Sequence, residues 1–148
     1  MKNADLPVFG NRIDSQAYVR RPSAYALVRN AESQLAVVRT PNGCFLPGGG
    51  MELDETPQQT VVREAMEECG FVLKPGRVME RAIQFVYSTA EKKYFEKICE
   101  FMQAELISTA APSELDHEVM WLSEDQARAC LSHESHCWAV SRADGRVS

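Results

Sequence analysis

The chain has 148 residues, of which 45% are hydrophobic and 25% are charged, and its formal net charge is −5. This composition is typical of a globular domain and excludes a disordered or fibrous chain. No run of Lys or Arg provides the basic patch that duplex nucleic acid requires, so we expect no partner of that kind. We predict a single domain over residues 1–148.

The N-terminal segment has one lysine followed by polar and turn-forming residues, and it lacks the apolar stretch of a signal peptide. No later stretch approaches the roughly 18 apolar residues of a membrane-spanning helix. The five cysteines are odd in number and contain no C-x-x-C pair, which argues against a disulfide framework. These features predict a cytoplasmic protein without a membrane partner.

Strand signals dominate the first half of the chain. Residues 1–20 are expected to form an N-terminal arm or strand. Residues 24–28 and 35–39 are short runs rich in β-branched and aromatic side chains, and the turn-like residues 29–33 between them predict a hairpin. Residues 40–43 are a second turn signal, so the chain is predicted to reverse again there.

A short apolar run at residues 44–46 ends at Pro47 and at three consecutive glycines, residues 48–50. Glycine lets the backbone turn tightly and approach a ligand closely. We therefore expect a sharp bend at this point.

A helix is clearly indicated after the glycines. Thr56 is a suitable N-cap, Pro57 suits the first helical position, and Gln59 completes a capping box. Gly70 can provide the left-handed residue that ends a helix. The sequence therefore predicts a helix over residues 57–69.

Strands are again predicted in the second half of the chain. Residues 82–87 and 94–106 have strand composition and flank a polar turn at residues 88–93. A loop at residues 108–113 and one more short strand at residues 119–122 follow.

Helical signals close the chain. A second capping-box pattern at residues 123–126 predicts a helix that ends near Leu131, and residues 133–140 predict a further helical turn. Residues 141–148 are expected to be a frayed tail. Strands around a central helix, with more helices at the end, predict an α/β fold in which a mixed sheet lies between helices.

The central helix carries a group of carboxylates. At 100° per residue, Glu64, Glu67 and Glu68 share one face, opposite a largely apolar face. Like charges three or four residues apart destabilise a helix by roughly 0.2 to 0.5 kcal/mol per pair, and no basic residue follows four positions later. A solvated acidic surface is one interpretation. Bound Mg²⁺ or Mn²⁺ is the other, because these ions prefer carboxylate oxygens.

The glycines and the carboxylates fall at a fixed spacing. Gly49 is followed after five residues by Glu55, and after seven more by the segment Arg63-Glu-Ala-Met-Glu-Glu-Cys-Gly-Phe71. Residues 49–71 resemble the Nudix box, G-x5-E-x7-R-E-U-x-E-E-x-G-U, where U is apolar. Every charged and glycine position is filled, and Phe71 departs only in being aromatic where the family more often has an aliphatic residue.

The resemblance implies a Nudix-type α/β/α sandwich and a site for divalent cations. Glu64, Glu67 and Glu68 would be the metal ligands and catalytic carboxylates, and the backbone carbonyl of Gly48 could add a ligand. The implied structural residues of the box are Gly49, Glu55, Arg63 and Gly70, with an ion pair between Glu55 and Arg63 that ties the loop to the helix.

The implied reaction is attack by water on a phosphorus atom of a nucleoside diphosphate linked to another moiety, with Mg²⁺ or Mn²⁺ as cofactor. Glu67 or Glu68 is the first candidate for the carboxylate that accepts the proton, and Glu114 or Glu118 are later candidates. A nucleoside triphosphate, a dinucleoside polyphosphate, a nucleotide sugar and a capped RNA end all remain possible substrates.

Two other functions remain open. A non-catalytic Nudix-fold nucleotide-binding module would usually lack box carboxylates that this chain has. An isomerase on the same fold would need further catalytic residues. A homodimer is also possible.

A cluster of cysteines and histidines near the C-terminus, and lysines in the second half of the chain, have structural explanations. The spacing of Cys130, His133, His136 and Cys137 matches no standard zinc pattern, which favours packing. Lys92, Lys93 and Lys97 could meet substrate phosphates, but a solvated turn and strand edge explains them equally well.

Overall fold

The computed structural model describes residues 6–143, which form eight strands and three helices. The strands are β1 (Val8–Phe9), β2 (Tyr18–Val28), β3 (Leu35–Thr40), β4 (Gly43–Phe45), β5 (Gly48–Gly50), β6 (Phe71–Ser88), β7 (Lys93–Thr109) and β8 (Glu118–Leu122). The helices are α1 (Pro57–Cys69), α2 (Glu124–Cys130) and α3 (Glu134–Ala143).

The strands form two sheets. The larger sheet has the order β1-β6-β7-β2-β5, with parallel pairing of β1 to β6 and of β2 to β7 and antiparallel pairing elsewhere. The smaller sheet is antiparallel and has the order β4-β3-β8. The expected mixed sheet is therefore confirmed.

Two apolar cores lie on opposite sides of β2, because successive side chains of a strand point to opposite faces. Ala24 and Ala26 belong to the core that contains Val61 of α1. Tyr25 and Leu27 belong to the core that contains residues of α2 and α3. This arrangement confirms the predicted α/β/α sandwich.

Helix α1 begins and ends where the sequence predicts. The Thr56 hydroxyl accepts a hydrogen bond from the backbone N–H of Gln59 at 3.1 Å, and the Gln59 side chain accepts one from the backbone N–H of Thr56 at 2.9 Å. Gly70 ends the helix in the left-handed conformation, with φ 69°. No helix in the described part of the chain is long and apolar enough to cross a membrane.

The predicted hairpin between residues 24–28 and 35–39 is wrong. These segments belong to β2 and β3, which lie in different sheets and are connected only by an isolated bridge between Arg29 and Leu35. Both edges of β2 are already paired, with β7 and β5, and both edges of β3 are paired with β4 and β8. The two strands therefore pair with other strands rather than with each other.

Strand β6 is longer than the sequence predicts, since it begins at Phe71 rather than at residue 82. Pro75 and Gly76 suggest a break, but the strand accommodates this region through register shifts between Pro75 and Val78 and between Val78 and Glu80. Similarly, the segment of three glycines, at which we expected a sharp bend, is a short strand.

The C-terminal helix is also longer than predicted. Residues 141–143, which we expected to belong to a frayed tail, continue α3, and Ala143 is buried in the core. Residues 144–148 and residues 1–5 of the expected N-terminal arm lie outside the described residues.

Candidate active site

A cleft of about 370 Å³ opens beside the start of β5 and the C-terminal half of α1. Gly48, Gly49 and Glu68 line it, together with Asp116 and His117 from the loop that precedes β8. Residues from β2, from the β3–β4 turn, from the β6–β7 hairpin and from the segment between α2 and α3 complete its walls. Gly48, Gly49 and Glu68 thus meet at a concave surface, which is where ligands usually bind, whereas Glu64 and Glu67 do not line it.

Glu68 is the most deeply buried of the three helix carboxylates, with 8% of the residue exposed. Its Oε1 accepts a hydrogen bond from the backbone N–H of Gly48 at 3.0 Å. Burial raises the pKa of Glu68 to about 9; the hydrogen bond from Gly48 opposes this rise, and the charges of neighbouring glutamates add to it. A bound cation would favour the ionised form and offset the cost of burying it.

The close approach of β5 to α1 depends on glycine at two positions. Gly48 has φ +145°, and a Cβ there would lie 2.1 Å from the carbonyl oxygen of Ala24. A Cβ on Gly49 would lie 2.8 Å from the carboxylate carbon of Glu64. Any side chain at these positions would therefore displace the strand or the carboxylate.

Arg63 ties the loop before α1 to the helix, as the sequence suggested. Its guanidinium donates to both carboxylate oxygens of Glu55, at 2.7 and 3.0 Å, and to the carbonyl oxygen of Gly50 at 3.1 Å. The pKa of Glu55 is lowered to about 2, mainly by the hydrogen bonds from Arg63. Such bidentate pairs fix geometry as well as adding stability.

Arg63 also contacts the carboxylate cluster, which spacing alone did not indicate. Its Nη1 donates to Oε1 of Glu64 at 2.9 Å and lies 3.6 Å from Oε2 of Glu67. Burial raises the pKa of Glu64, and the interactions with Arg63 oppose that rise. One arginine therefore offsets part of the repulsion between the glutamates.

The loop after β7 brings a fourth glutamate to the cluster. The backbone N–H groups of Ser113 and Glu114 donate to the carbonyl oxygen of Glu67 at 3.1 and 2.9 Å. One carboxylate oxygen from each of Glu64, Glu67 and Glu114 lies within 4.8 Å of the others. Glu114 also belongs to a second group, with Glu68 and His117, whose ligand atoms again lie within 4.8 Å of one another. These overlapping groups could hold divalent cations.

The structure distinguishes between Glu114 and Glu118, the two later candidates for the proton-accepting carboxylate. Glu114 joins the cluster, whereas the Glu118 side chain is 63% exposed and lies 3.8 Å from Arg39 on the neighbouring strand. His117 was missed, because nothing in its sequence spacing relates it to the box.

Lys97 and Arg21 line the wall of the cleft, opposite each other on the paired strands β7 and β2. The Arg21 guanidinium lies over the ring of Phe95, 4.6 Å from its centroid. Lys97 is not at a strand edge, because β7 lies between β6 and β2. Burial lowers the pKa of Lys97, and its ammonium has no hydrogen bond or ion pair among residues 6–143. Lys97 therefore remains available to an anionic ligand, whereas the Arg21 guanidinium already lies 3.5 Å from the carboxylate of Glu91.

His136 packs in the core and belongs to neither group of candidate metal ligands among residues 6–143. Its ring is fully buried against Tyr25, and its Nδ1 accepts a hydrogen bond from the backbone N–H of Leu46 at 3.2 Å. It therefore anchors the strand end that leads into Gly48. His133 lines the cleft beside Phe45, and burial lowers its pKa to about 4.

The chain is similar to known proteins. A model of the NUDIX domain family matches residues 19–139. A MutT-like protein of Streptomyces ambofaciens is 50% identical over 48 residues, which cover 32% of this chain and 31% of that protein. Diphosphoinositol polyphosphate phosphohydrolase 3-alpha of Mus musculus is 33% identical over 69 residues, covering 45% of this chain and 42% of that protein. The chain thus matches less than half the length of these relatives.

Among solved structures, the MutT protein of Methanosarcina mazei Go1 has a similar fold. The TM-score is 0.66 at 20% sequence identity, over 87% of this chain and 98% of that one. At this identity the likeness is evidence for the fold alone.

Proposed function

Because the chain belongs to the Nudix hydrolase superfamily, whose domain model matches residues 19–139, we propose that it hydrolyses a pyrophosphate bond in a nucleoside diphosphate linked to another moiety. The observation that carries this proposal is the convergence of four glutamates, Glu64, Glu67, Glu68 and Glu114, beside a cleft with basic groups in its wall.

The donor set fits the implied cofactor, Mg²⁺ or Mn²⁺. Hard divalent cations prefer carboxylate oxygens and keep part of their shell for water and substrate phosphates. Glu64, Glu67 and Glu68 are the proposed ligands, and the carbonyl of Gly48 stays a predicted addition. When bound, such a cation neutralises charge on the phosphate oxygens and lowers the pKa of the attacking water.

A carboxylate must accept the proton of that water. We assign this role to Glu67 or Glu68, with Glu114 as the competing candidate because it adjoins both groups of ligand atoms. Replacing the base by glutamine removes the proton acceptor but keeps one oxygen in place. The glutamine variant of the true base should therefore lose turnover while substrate affinity is retained.

The basic wall suits the anionic substrate. Arg21 and Lys97 are paired residues of the neighbouring parallel strands β2 and β7. Lys97 is partly buried. A partly desolvated ammonium without a counterion is unfavourable, and a phosphate oxygen would offset that cost. We therefore assign these two residues to binding the phosphate groups of a small-molecule substrate in the cytoplasm.

The test is release of phosphate or nucleoside monophosphate from a panel of nucleoside triphosphates, dinucleoside polyphosphates and nucleotide sugars, with Mg²⁺, Mn²⁺ or chelator. Turnover should require metal and should be lost in the Glu67→Gln and Glu68→Gln variants. Glu118→Gln is the matched control, because it removes an exposed carboxylate outside the cluster.

Metal-independent turnover, or retained activity in either box variant, would refute the proposed site. Tight nucleotide binding without turnover of any substrate would instead support the non-catalytic binding module. Sedimentation of the same samples tests whether the protein is a homodimer.

A further inference from the structure

We propose that the rings of Phe45 and His133 form a subsite in the cleft that binds the planar base of the nucleotide substrate and so selects nucleotides over other phosphate esters. The proposal rests on the proposed function, because it names what binds the nucleoside part of that substrate. Both residues lie outside the box at residues 49–71.

The two rings come from segments that are hydrogen-bonded to each other, β4 and the segment between α2 and α3. The backbone N–H of Cys44 donates to Oγ of Ser132 at 2.9 Å, and the backbone N–H of Ser132 donates to the carbonyl oxygen of Cys44 at 2.9 Å. The next residues, Phe45 and His133, have ring centroids 4.9 Å apart and ring planes 60° apart. A flat ligand can therefore stack on one ring and meet the other with its edge.

Phe45 lines the cleft without joining an apolar core. Its ring is partly exposed, and it belongs to no buried apolar cluster among residues 6–143. Gly43 leaves room for this ring, because a Cβ there would lie 3.3 Å from Cζ of Phe45 and 2.4 Å from Oγ of Ser132. Small-molecule sites are lined mainly by such apolar and aromatic side chains.

His133 is suited to a neutral base rather than to a phosphate. Burial, and to a lesser extent the charge of Lys97, lowers the pKa of His133 to about 4. Its Nδ1 is buried and has no hydrogen-bond partner in the part of the chain that the structure describes. The imidazole is therefore uncharged near neutral pH, and it presents an aromatic ring beside the lysine that we assign to the phosphates.

His136 holds the two rings from behind. It is fully buried, and its ring centroid lies 5.2 Å from that of His133 and 6.2 Å from that of Phe45. On its other side it packs against Tyr25, with ring centroids 4.3 Å apart. A subsite whose rings are already fixed loses little conformational entropy when a ligand binds.

The charges of the cleft favour a nucleotide over a sugar that carries phosphates on all sides. Two Lys or Arg side chains line this cleft, Arg21 and Lys97, and they are accompanied by the carboxylates of Glu68, Glu91 and Asp116. Two cations can bind a short phosphate chain, but a ligand with more phosphates would meet carboxylates instead. The remaining part of the ligand should therefore be uncharged and flat, as a base is.

The experiment is calorimetry of the full chain with two kinds of probe, nucleoside 5′-monophosphates and ribose 5-phosphate, which lacks the base. The wild-type protein should bind at least one monophosphate about tenfold or more tightly than ribose 5-phosphate, because a base stacked on an aromatic ring contributes that much. Phe45→Leu and His133→Leu should each reduce this ratio about fivefold or more and leave the affinity for ribose 5-phosphate within about twofold. Phe45→Tyr and His133→Phe keep an aromatic ring and should keep most of the ratio.

Tyr94→Leu is the matched control, since Tyr94 is an aromatic residue of β7 that does not line the cleft. It should bind both probes as the wild type does. Equal wild-type affinity for the monophosphates and ribose 5-phosphate, or binding of neither, would overturn this proposal, while turnover of the substrate panel would still decide the proposed function. An unchanged ratio in both leucine variants would overturn it as well. Equal losses for both kinds of probe would show that the rings only support the fold.

Discussion

Replacing Glu68 by glutamine should stabilise the metal-free protein at alkaline pH. The folded-state pKa of Glu68 is about 9, against an ordinary value of 4.5. A carboxyl whose pKa is raised by folding contributes its full stability below pH 4.5, and that contribution is lost as the pH rises through the range up to about 9. Glutamine does not titrate, and its side-chain oxygen can still accept the hydrogen bond from Gly48.

The magnitude follows from the slope of this linkage. One proton bound in the folded state but not in the unfolded state changes the free energy of unfolding by about 1.4 kcal/mol per pH unit. Between pH 6 and pH 8 the free energy of unfolding of the wild-type protein should therefore fall by up to about 3 kcal/mol relative to that of Glu68→Gln. For a domain of this size, that difference corresponds to about 10 °C in the melting temperature.

The assay is thermal unfolding in chelator at pH 6 and pH 8, scored as the difference between wild type and variant so that other titrating groups cancel. Glu67→Gln is the control, because it removes a neighbouring charge from a side chain that is 38% exposed. Adding Mn²⁺ at pH 8 should raise the melting temperature of the wild type more than that of Glu68→Gln. Parallel pH dependence in wild type and Glu68→Gln would refute the reasoning.

Three further predictions concern the surroundings of the cluster. Lys97→Met should raise KM for the phosphate substrate about tenfold or more and should raise the melting temperature, because an unpaired and partly buried ammonium is removed. Lys93→Met, at an exposed position, is the control, and an unchanged KM in Lys97→Met would contradict the assignment. Arg63→Ala should lower the free energy of unfolding by about 2 to 4 kcal/mol in denaturant titration, since several charge-assisted hydrogen bonds are lost; a loss below about 1 kcal/mol would show that they are weak. Gly49→Ala should weaken Mn²⁺ binding in calorimetry about tenfold with an unchanged circular dichroism spectrum, because its Cβ would displace the Glu64 carboxylate; wild-type affinity would disprove that close contact.

The local elements of the site were predictable because their signals are short in range. The capping box at Thr56 and Gln59 satisfies N–H groups within one helical turn, and Gly70 ends the same helix. The spacing of the glutamates on α1 follows from helix geometry alone. Residues 57–69 were consequently placed correctly from sequence.

Pairings across the chain were not predictable in the same way. The sequence of β2 and β3 favours strands but says nothing of which edges are free, so a hairpin was inferred where two sheets exist. Lys97 looked like a residue at a solvated strand edge for the same reason. Whether a strand is central or at an edge is a property of the whole sheet.

The sequence by itself therefore determined the family, the central helix and the carboxylates it carries, because a helix sets the positions of residues three and four apart without help from the rest of the chain. Only the tertiary structure decided which residues join that helix at the site. Glu114 and His117 reach it through backbone hydrogen bonds to the end of α1 and through a long antiparallel pair, β6 and β7. Bringing such distant segments together costs conformational entropy, and burial of apolar side chains in the two cores offsets that cost. A local sequence pattern does not indicate where this burial will place a loop.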